Sequence, residues 1–235
     1  LASTPPTEEA FLREVDEQLR QEQMITMWKR YGRIALVVVL VLLLALAGYL
    51  FWRAEAEKKR EANGETMGAL IADVQANRTT DAARKIDQLV AEGGTGYRVS
   101  ALFTRAALAV DKGDIKAAAA IYAGIARDED APQPYRDVAL IRQTLIEYDG
   151  LQPQQVIDRM RPLTQPDNAF FGTAGELTAI AMLQTGRAAE AGRLLGEIAR
   201  DKETPDTLRQ RAARLATSLG VDVDALAASA PAAKD

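Results

Sequence analysis

From Ile34 to Trp52 the chain reads IALVVVLVLLLALAGYLFW, nineteen residues without a charge, set between Arg33 and Arg53. Elsewhere apolar positions are interleaved with charged ones, so this run stands apart. As a helix rising ~1.5 Å per residue it reaches roughly 28 Å, close to the ~30 Å hydrocarbon core of a bilayer. Thirteen of its residues are Ile, Leu, Val or Phe. Each favours insertion by ~0.3–0.6 kcal/mol near the midplane, and no charge opposes them. Trp28 and Tyr31 precede the run, and Tyr49 and Trp52 close it. These four are the expected membrane-interface residues, because amphipathic rings favour the headgroup level. Ala45-Leu46-Ala47 has the small-residue form of a signal cleavage site, but 33 residues precede the run and it continues past the cut. A retained membrane-spanning helix over 34–52 is therefore expected rather than a cleaved signal.

Residues 1–33 form a short tail before that span. Thr7 is placed to cap a helix whose first turn holds Glu8 and Glu9, which favour the helix dipole. Phe11, Val15 and Leu19 recur at a stride of four with Leu12 beside them, giving residues 10–29 one apolar face. That face belongs either to a solvated helix feeding the span or to a surface for a partner or the membrane. Phe11, Val15 and Leu19 are the candidate partner contacts of the tail.

Beyond the span the pattern changes to helical repeats. Residues 54–76 are rich in Ala, Glu, Lys and Arg, good helix formers that can continue the membrane helix outward. Asn77, Gly113, Gly150 and Gly186 then follow one another at intervals of 36, 37 and 36 residues, each between two helical stretches. Gly and Asn tolerate the left-handed conformation that ends a helix, and the period is that of helix-turn-helix solenoids. Gly113 is followed by Ala118 and Tyr122, and Gly186 by Ala191 and Leu195. A small residue five after the turn and a large one four later is the tetratricopeptide second-helix pattern. Leu102 with Ala106, and Gly175 with Ala179, supply the matching positions of the first helices. The unit around Gly150 departs, with Gln155 at the small position and Pro162 ending its second helix early; the unit around Asn77 is weaker still. Pro132, Pro134 and Pro166 mark breaks between units. Pro205 opens a further helix, Asp206 to Ser218, stopped by Gly220 and expected to cap the stack. The predicted fold class is all-α: a single N-terminal transmembrane helix followed by a tetratricopeptide-like α-solenoid over 53–220, with a tail over 221–235 that lacks bulky residues after Leu226.

Charge and composition narrow the function. Residues 53–235 carry 24 Lys and Arg against 27 Asp and Glu, a near balance that leaves no electrostatic footprint for nucleic acid. The chain has no histidine and no cysteine, which removes the usual general base, the commonest metal ligand and every thiolate. Glu55, Glu57 and Glu61, and the run Asp128-Glu129-Asp130, read as solvated faces or helix ends. Gly93-Gly94-Thr95-Gly96 lacks the lysine of a phosphate loop and reads as an interhelix turn. No catalytic residue, cofactor, metal or small-molecule substrate is expected. Aromatic residues are the better lead. Tyr97, Phe103, Tyr122, Tyr135, Tyr148, Phe170 and Phe171 lie in or beside the repeats, most of them expected in the core. Phe170 and Phe171 are the candidate partner contacts, because adjacent helical positions do not face the same way.

The block Phe11-Leu12-Arg13-Glu14-Val15-Asp16-Glu17-Gln18-Leu19-Arg20, then Trp28-Lys29-Arg30-Tyr31-Gly32 directly ahead of the anchor, resembles a bacterial family of membrane-anchored, tetratricopeptide-like proteins. Its best-studied branch is an ancillary subunit of the Sec translocon, whose exported domain is a chaperone-like contact for secreted proteins. Charge does not orient the span: Arg20, Lys29, Arg30 and Arg33 precede it, and Arg53, Lys58, Lys59 and Arg60 follow it. The resemblance implies a bacterial inner-membrane protein with a cytoplasmic N-terminus and a periplasmic C-terminal domain. It implies as partners the Sec translocon, exported proteins and periplasmic chaperones. The alternative is a structural accessory subunit of a respiratory or cell-division complex, without client binding.

Overall fold

A computed structural model describes residues 6–165 and 167–222; for residues 6–27 and 35 it describes the backbone alone. Among the described residues there is helix and turn but no strand. The chain divides into two compact units at Ala62/Asn63. Helix α1, Pro6–Gln75, contains the apolar run and the first repeat helix without interruption. In the first unit, the described large apolar side chains from Ile34 to Trp52 all stand open, between 50 and 76 % exposed. A helix that is apolar on every side and covered by no protein is long and apolar enough to cross a membrane.

The second unit is a row of helix pairs. Residues 63–75 of α1 pair with α2 (Thr79–Glu92), α3 (Gly94–Asp111) with α4 (Ile115–Arg127), α5 (Gln133–Glu147) with α6 (Pro153–Met160), and α7 (Phe171–Gln184) with α8 (Ala188–Arg200). Helix α9 (Asp206–Ser218) follows, with the bounds its sequence predicts. Its first-helix position is betrayed by its ending. Asn77, Gly113, Gly186 and Gly220 all have positive φ, from 57 to 79°. At each, the turn residue's N–H bonds the carbonyl three back and the next N–H bonds the carbonyl five back, as in Asp114 to Ala109 and Val221 to Ala216. This is the Schellman ending, used in one register at every one of these turns.

Gly150 is different. It closes a 3₁₀ turn, Tyr148–Gly150, and its φ is not positive. The second helix of this pair consequently starts one residue late. Gln155, expected at the small buried position, is exposed, and its side chain instead accepts from the N–H of Gln152 at 2.9 Å. Val156 takes the buried place. Pro162 ends α6 at Met160 as expected, and a 3₁₀ turn, Arg161–Leu163, carries Leu163 into the core. The pair at Asn77, weak in letters, is regular in structure: Ala82, Ile86 and Leu89 are buried as Ala118, Tyr122 and Ile125 are, and as Ala191, Leu195 and Ile198 are.

Each second helix builds one core cluster, and the next first helix closes it. Ala82, Ile86 and Leu89 meet Ala101 of α3, and Tyr122 and Ile125 meet Ala139 of α5. Val156, Met160 and Leu163 meet Ala174, Leu177 and Ala181 of α7. The last cluster, Ala191, Leu195 and Ile198, is closed by Leu208, Ala212 and Ala216 of α9. The Gly93 turn is the tightest connection between pairs. A Cβ there would lie 2.4 Å from the Leu89 carbonyl oxygen and 2.8 Å from Tyr97 Cβ, so only glycine fits.

Candidate functional site

The repeats place first helices side by side, and three of them make an apolar groove of about 510 Å³. Ile71, Val74 and Gln75 of α1, Phe103, Thr104 and Ala107 of α3, and Tyr135, Val138 and Arg142 of α5 form its walls. Tyr122, from the second helix α4, is the floor and is only 2 % exposed. The three rings cluster around Phe103, with centroids 5.8 Å from Tyr122 and 6.4 Å from Tyr135, both tilted. Such tilted pairs are favourable by about 0.5–1.5 kcal/mol beyond their burial.

One position recurs along this face. Eleven residues before each buried Ala82, Ala118, Val156 and Ala191 stand Ile71, Ala107, Leu145 and Ile180. All four are apolar and exposed. Two of them, Ile71 and Ala107, line the groove, and the repeat puts Leu145 and Ile180 at the equivalent place on α5 and α7. Uncovered aliphatic side chains thus recur at one register along the row.

Several carboxylates of this unit are tied into the fold. Asp73 is buried at the end of α1, where Lys85 Nζ lies 2.5 Å from one oxygen and Arg78 Nε donates to the other at 2.8 Å. First the Lys85 ammonium and then the Arg78 guanidinium hold its carboxyl below the ordinary range. Asp128 pairs with Arg98 at 2.6 Å, which lowers its pKa too, and accepts from the N–H of Asp130. The run Asp128-Glu129-Asp130 is thus a tethered connection between α4 and α5. Arg105 with Asp87, Arg159 with Glu147, and Arg211 with Glu176 tie further helices together. Glu176 in turn raises the pKa of Arg211. Among the described residues no cluster of His, Cys, Asp or Glu is placed to hold a metal.

The predicted contacts fare unequally. Phe171 is 1 % exposed and belongs to the α8–α9 core, while Phe170, at the start of α7, packs half-buried against the preceding cluster. The adjacent pair is divided between two cores, so Phe171 offers no ring to a partner. In the repeats the open aromatic ring is instead Tyr135, 38 % exposed, beside the half-buried Phe103. The side chains of Phe11, Val15 and Leu19 lie outside the described residues. Trp28, Tyr31, Tyr49 and Trp52 are exposed at the ends of the apolar run, with Arg30 lying 5.8 Å from the Tyr31 ring centre.

A family model described as a tetratricopeptide repeat-like domain matches residues 26–194. The chain belongs to this family. No curated protein and no solved structure matches it. The matched span opens before the apolar run and closes within α8, so it takes in the candidate membrane helix together with the groove. Tetratricopeptide repeat-like domains are generally protein-interaction modules.

Proposed function

We propose that this tetratricopeptide repeat-like protein is a non-catalytic, single-pass anchor of the bacterial inner membrane that binds extended segments of other proteins in the groove of α1, α3 and α5. The groove carries the reading. Its walls come from three successive first helices, it is largely apolar and open, and no carboxylate lines it. Stacked helix pairs suit a long, unfolded segment better than a compact ligand. Anchoring raises the local concentration of such a groove at the membrane, which substitutes for high intrinsic affinity.

The finer assignment rests on the resemblance of the N-terminal block: tail in the cytoplasm, repeats in the periplasm, and an ancillary place at the Sec translocon, with exported proteins and periplasmic chaperones as contacts. Phe11, Val15 and Leu19 are the residues proposed to meet the membrane partner. A photo-crosslinking residue at Ile71 or Tyr135 is expected to capture exported proteins during secretion, whereas one at the exposed Gln88 of α2 is not. Equal capture from both sites would overturn the groove. Crosslinks from residues 11, 15 and 19 that reach a respiratory or cell-division complex and never the translocon would replace the Sec assignment with the structural-subunit alternative.

A further inference from the structure

The two ends of the apolar run differ in their carboxylates more than in their Lys and Arg. After the run, Arg53, Lys58, Lys59 and Arg60 are interleaved with Glu55, Glu57 and Glu61, and each cation has a glutamate three or four residues away. That spacing is one helical turn, so the charges compensate locally. Before the run, Lys29, Arg30 and Arg33 have no such acid, because the chain holds no Asp or Glu between Glu22 and Glu55. All three are exposed and, among the described residues, none meets a carboxylate. We infer that this end of the span is a binding surface for anionic phospholipid headgroups, and that the far end does not tell them from zwitterionic ones; this rests on the membrane-spanning reading above.

Helix geometry gathers the three cations. At 3.6 residues per turn they fall within roughly 100° of the circumference, and Lys29 and Arg33 are only about 6 Å apart along the axis. Long Lys and Arg stems lie along apolar surface while their charged heads reach the headgroup level. A lipid phosphate there meets a guanidinium fork through two parallel hydrogen bonds. A zwitterionic headgroup carries its own cation beside the phosphate, whereas an anionic one leaves that charge for the protein to balance. Trp28 is held next to this arc. A Cβ on Gly32 would lie 3.3 Å from its Cδ2, so the indole rests against the bare backbone of Gly32. Ring and cations therefore share one level of the bilayer, the level at which amphipathic rings settle.

The chain has two tryptophans, Trp28 and Trp52, and they stand at opposite ends of the run, so each reports on its own end. The full chain with Trp52→Phe keeps Trp28 as its sole indole, and with Trp28→Phe it keeps Trp52. Each is reconstituted in vesicles of equal parts phosphatidylcholine and phosphatidylglycerol, one of the two lipids carrying brominated acyl chains that quench an indole in contact with them. Trp28 should be quenched more by brominated phosphatidylglycerol, to a degree that corresponds to about threefold preference for the anionic lipid. Trp52 should be quenched equally by both. Replacing Lys29, Arg30 and Arg33 together by Gln should equalise the two lipids at Trp28, whereas Lys29→Arg should keep the preference. Equal quenching of Trp28 in the unsubstituted triad, a preference that survives the triple replacement, or the same preference at Trp52 would each overturn the inference and leave the span standing. No quenching of either tryptophan by either lipid would overturn the span, and the inference with it.

Discussion

Asp73 shows how a single side chain joins the first repeat. It is nearly covered, yet its charge is kept because Lys85 and Arg78 approach both of its oxygens. Its pKa is depressed in the folded state, so the folded chain binds fewer protons there than the unfolded one. The contribution is therefore complete above the ordinary value of 3.8 and is lost as pH falls through the lower folded value. Thermal melts from pH 7 down to pH 2 should show that loss for the native chain. Asp73→Asn should lower the melting temperature at pH 7 and flatten the acid limb; an unaltered limb would mean that Asp73 is not the titrating group. Glycines make a second contrast at this scale. Gly93→Ala forces a Cβ onto a backbone carbonyl, and an overpacked site of that kind costs about 1–3 kcal/mol. Gly186→Ala meets open space but keeps φ at 77°, so its cost is conformational alone, about 1–2 kcal/mol. Gly186→Asn should recover part of it, because Asn77 holds the same conformation in the first repeat. Denaturant titration of the three variants separates crowding from backbone strain.

At the scale of elements, periodicity was legible and register was not. Turn residues 36 apart, prolines between pairs and the bounds of α9 could be read from letters, because left-handed endings and missing N–H groups restrict which residues serve. The slip after Gly150 could not. A glycine permits a left-handed turn without requiring one, and here the chain closes a 3₁₀ turn that moves the buried position from Gln155 to Val156. The groove was hidden for a related reason. Phe103 and Tyr135 face one another only because α3 and α5 pack across α4, and thirty-two residues of separation carry no local signal of that facing. The adjacent Phe170 and Phe171 drew attention for the same want of register. Helix α9 tests the closing rule. Leu208 seals the last cluster, and its Cδ2 lies only 2.7 Å from where a Cβ on Gly172 would be, so the helices meet without slack. Leu208→Ala should destabilise by about 2–5 kcal/mol. Hydrogen exchange should speed up first in α7 and α8 and leave α2 protected, since neighbours in a row of repeats are coupled most strongly. Uniform loss of protection along the row would show instead that the repeats melt as one body.

For the molecule as a whole, the proposal depends on lipid around residues 34–52 and on which side the repeats lie. Fifteen described large apolar side chains in that run have no protein cover. A bilayer accepts them, whereas a pair of arginines at its centre is opposed by about 2.5–3.5 kcal/mol each. Replacing Leu42 and Leu43 by Arg should release the chain from carbonate-washed membranes, and retention of that variant would point to attachment through protein rather than lipid. The absence of native cysteine makes the orientation directly readable, because one introduced thiol is the only target for a maleimide. Leu145→Cys sits on the exposed aliphatic row of the repeats, and Val15→Cys lies in the tail. With a reagent that crosses the outer but not the inner membrane, residue 145 should label in intact cells and residue 15 only after lysis. The opposite order would put the groove in the cytoplasm, where it could not meet proteins after export, and the translocon reading would fail even if the groove bound peptides as expected.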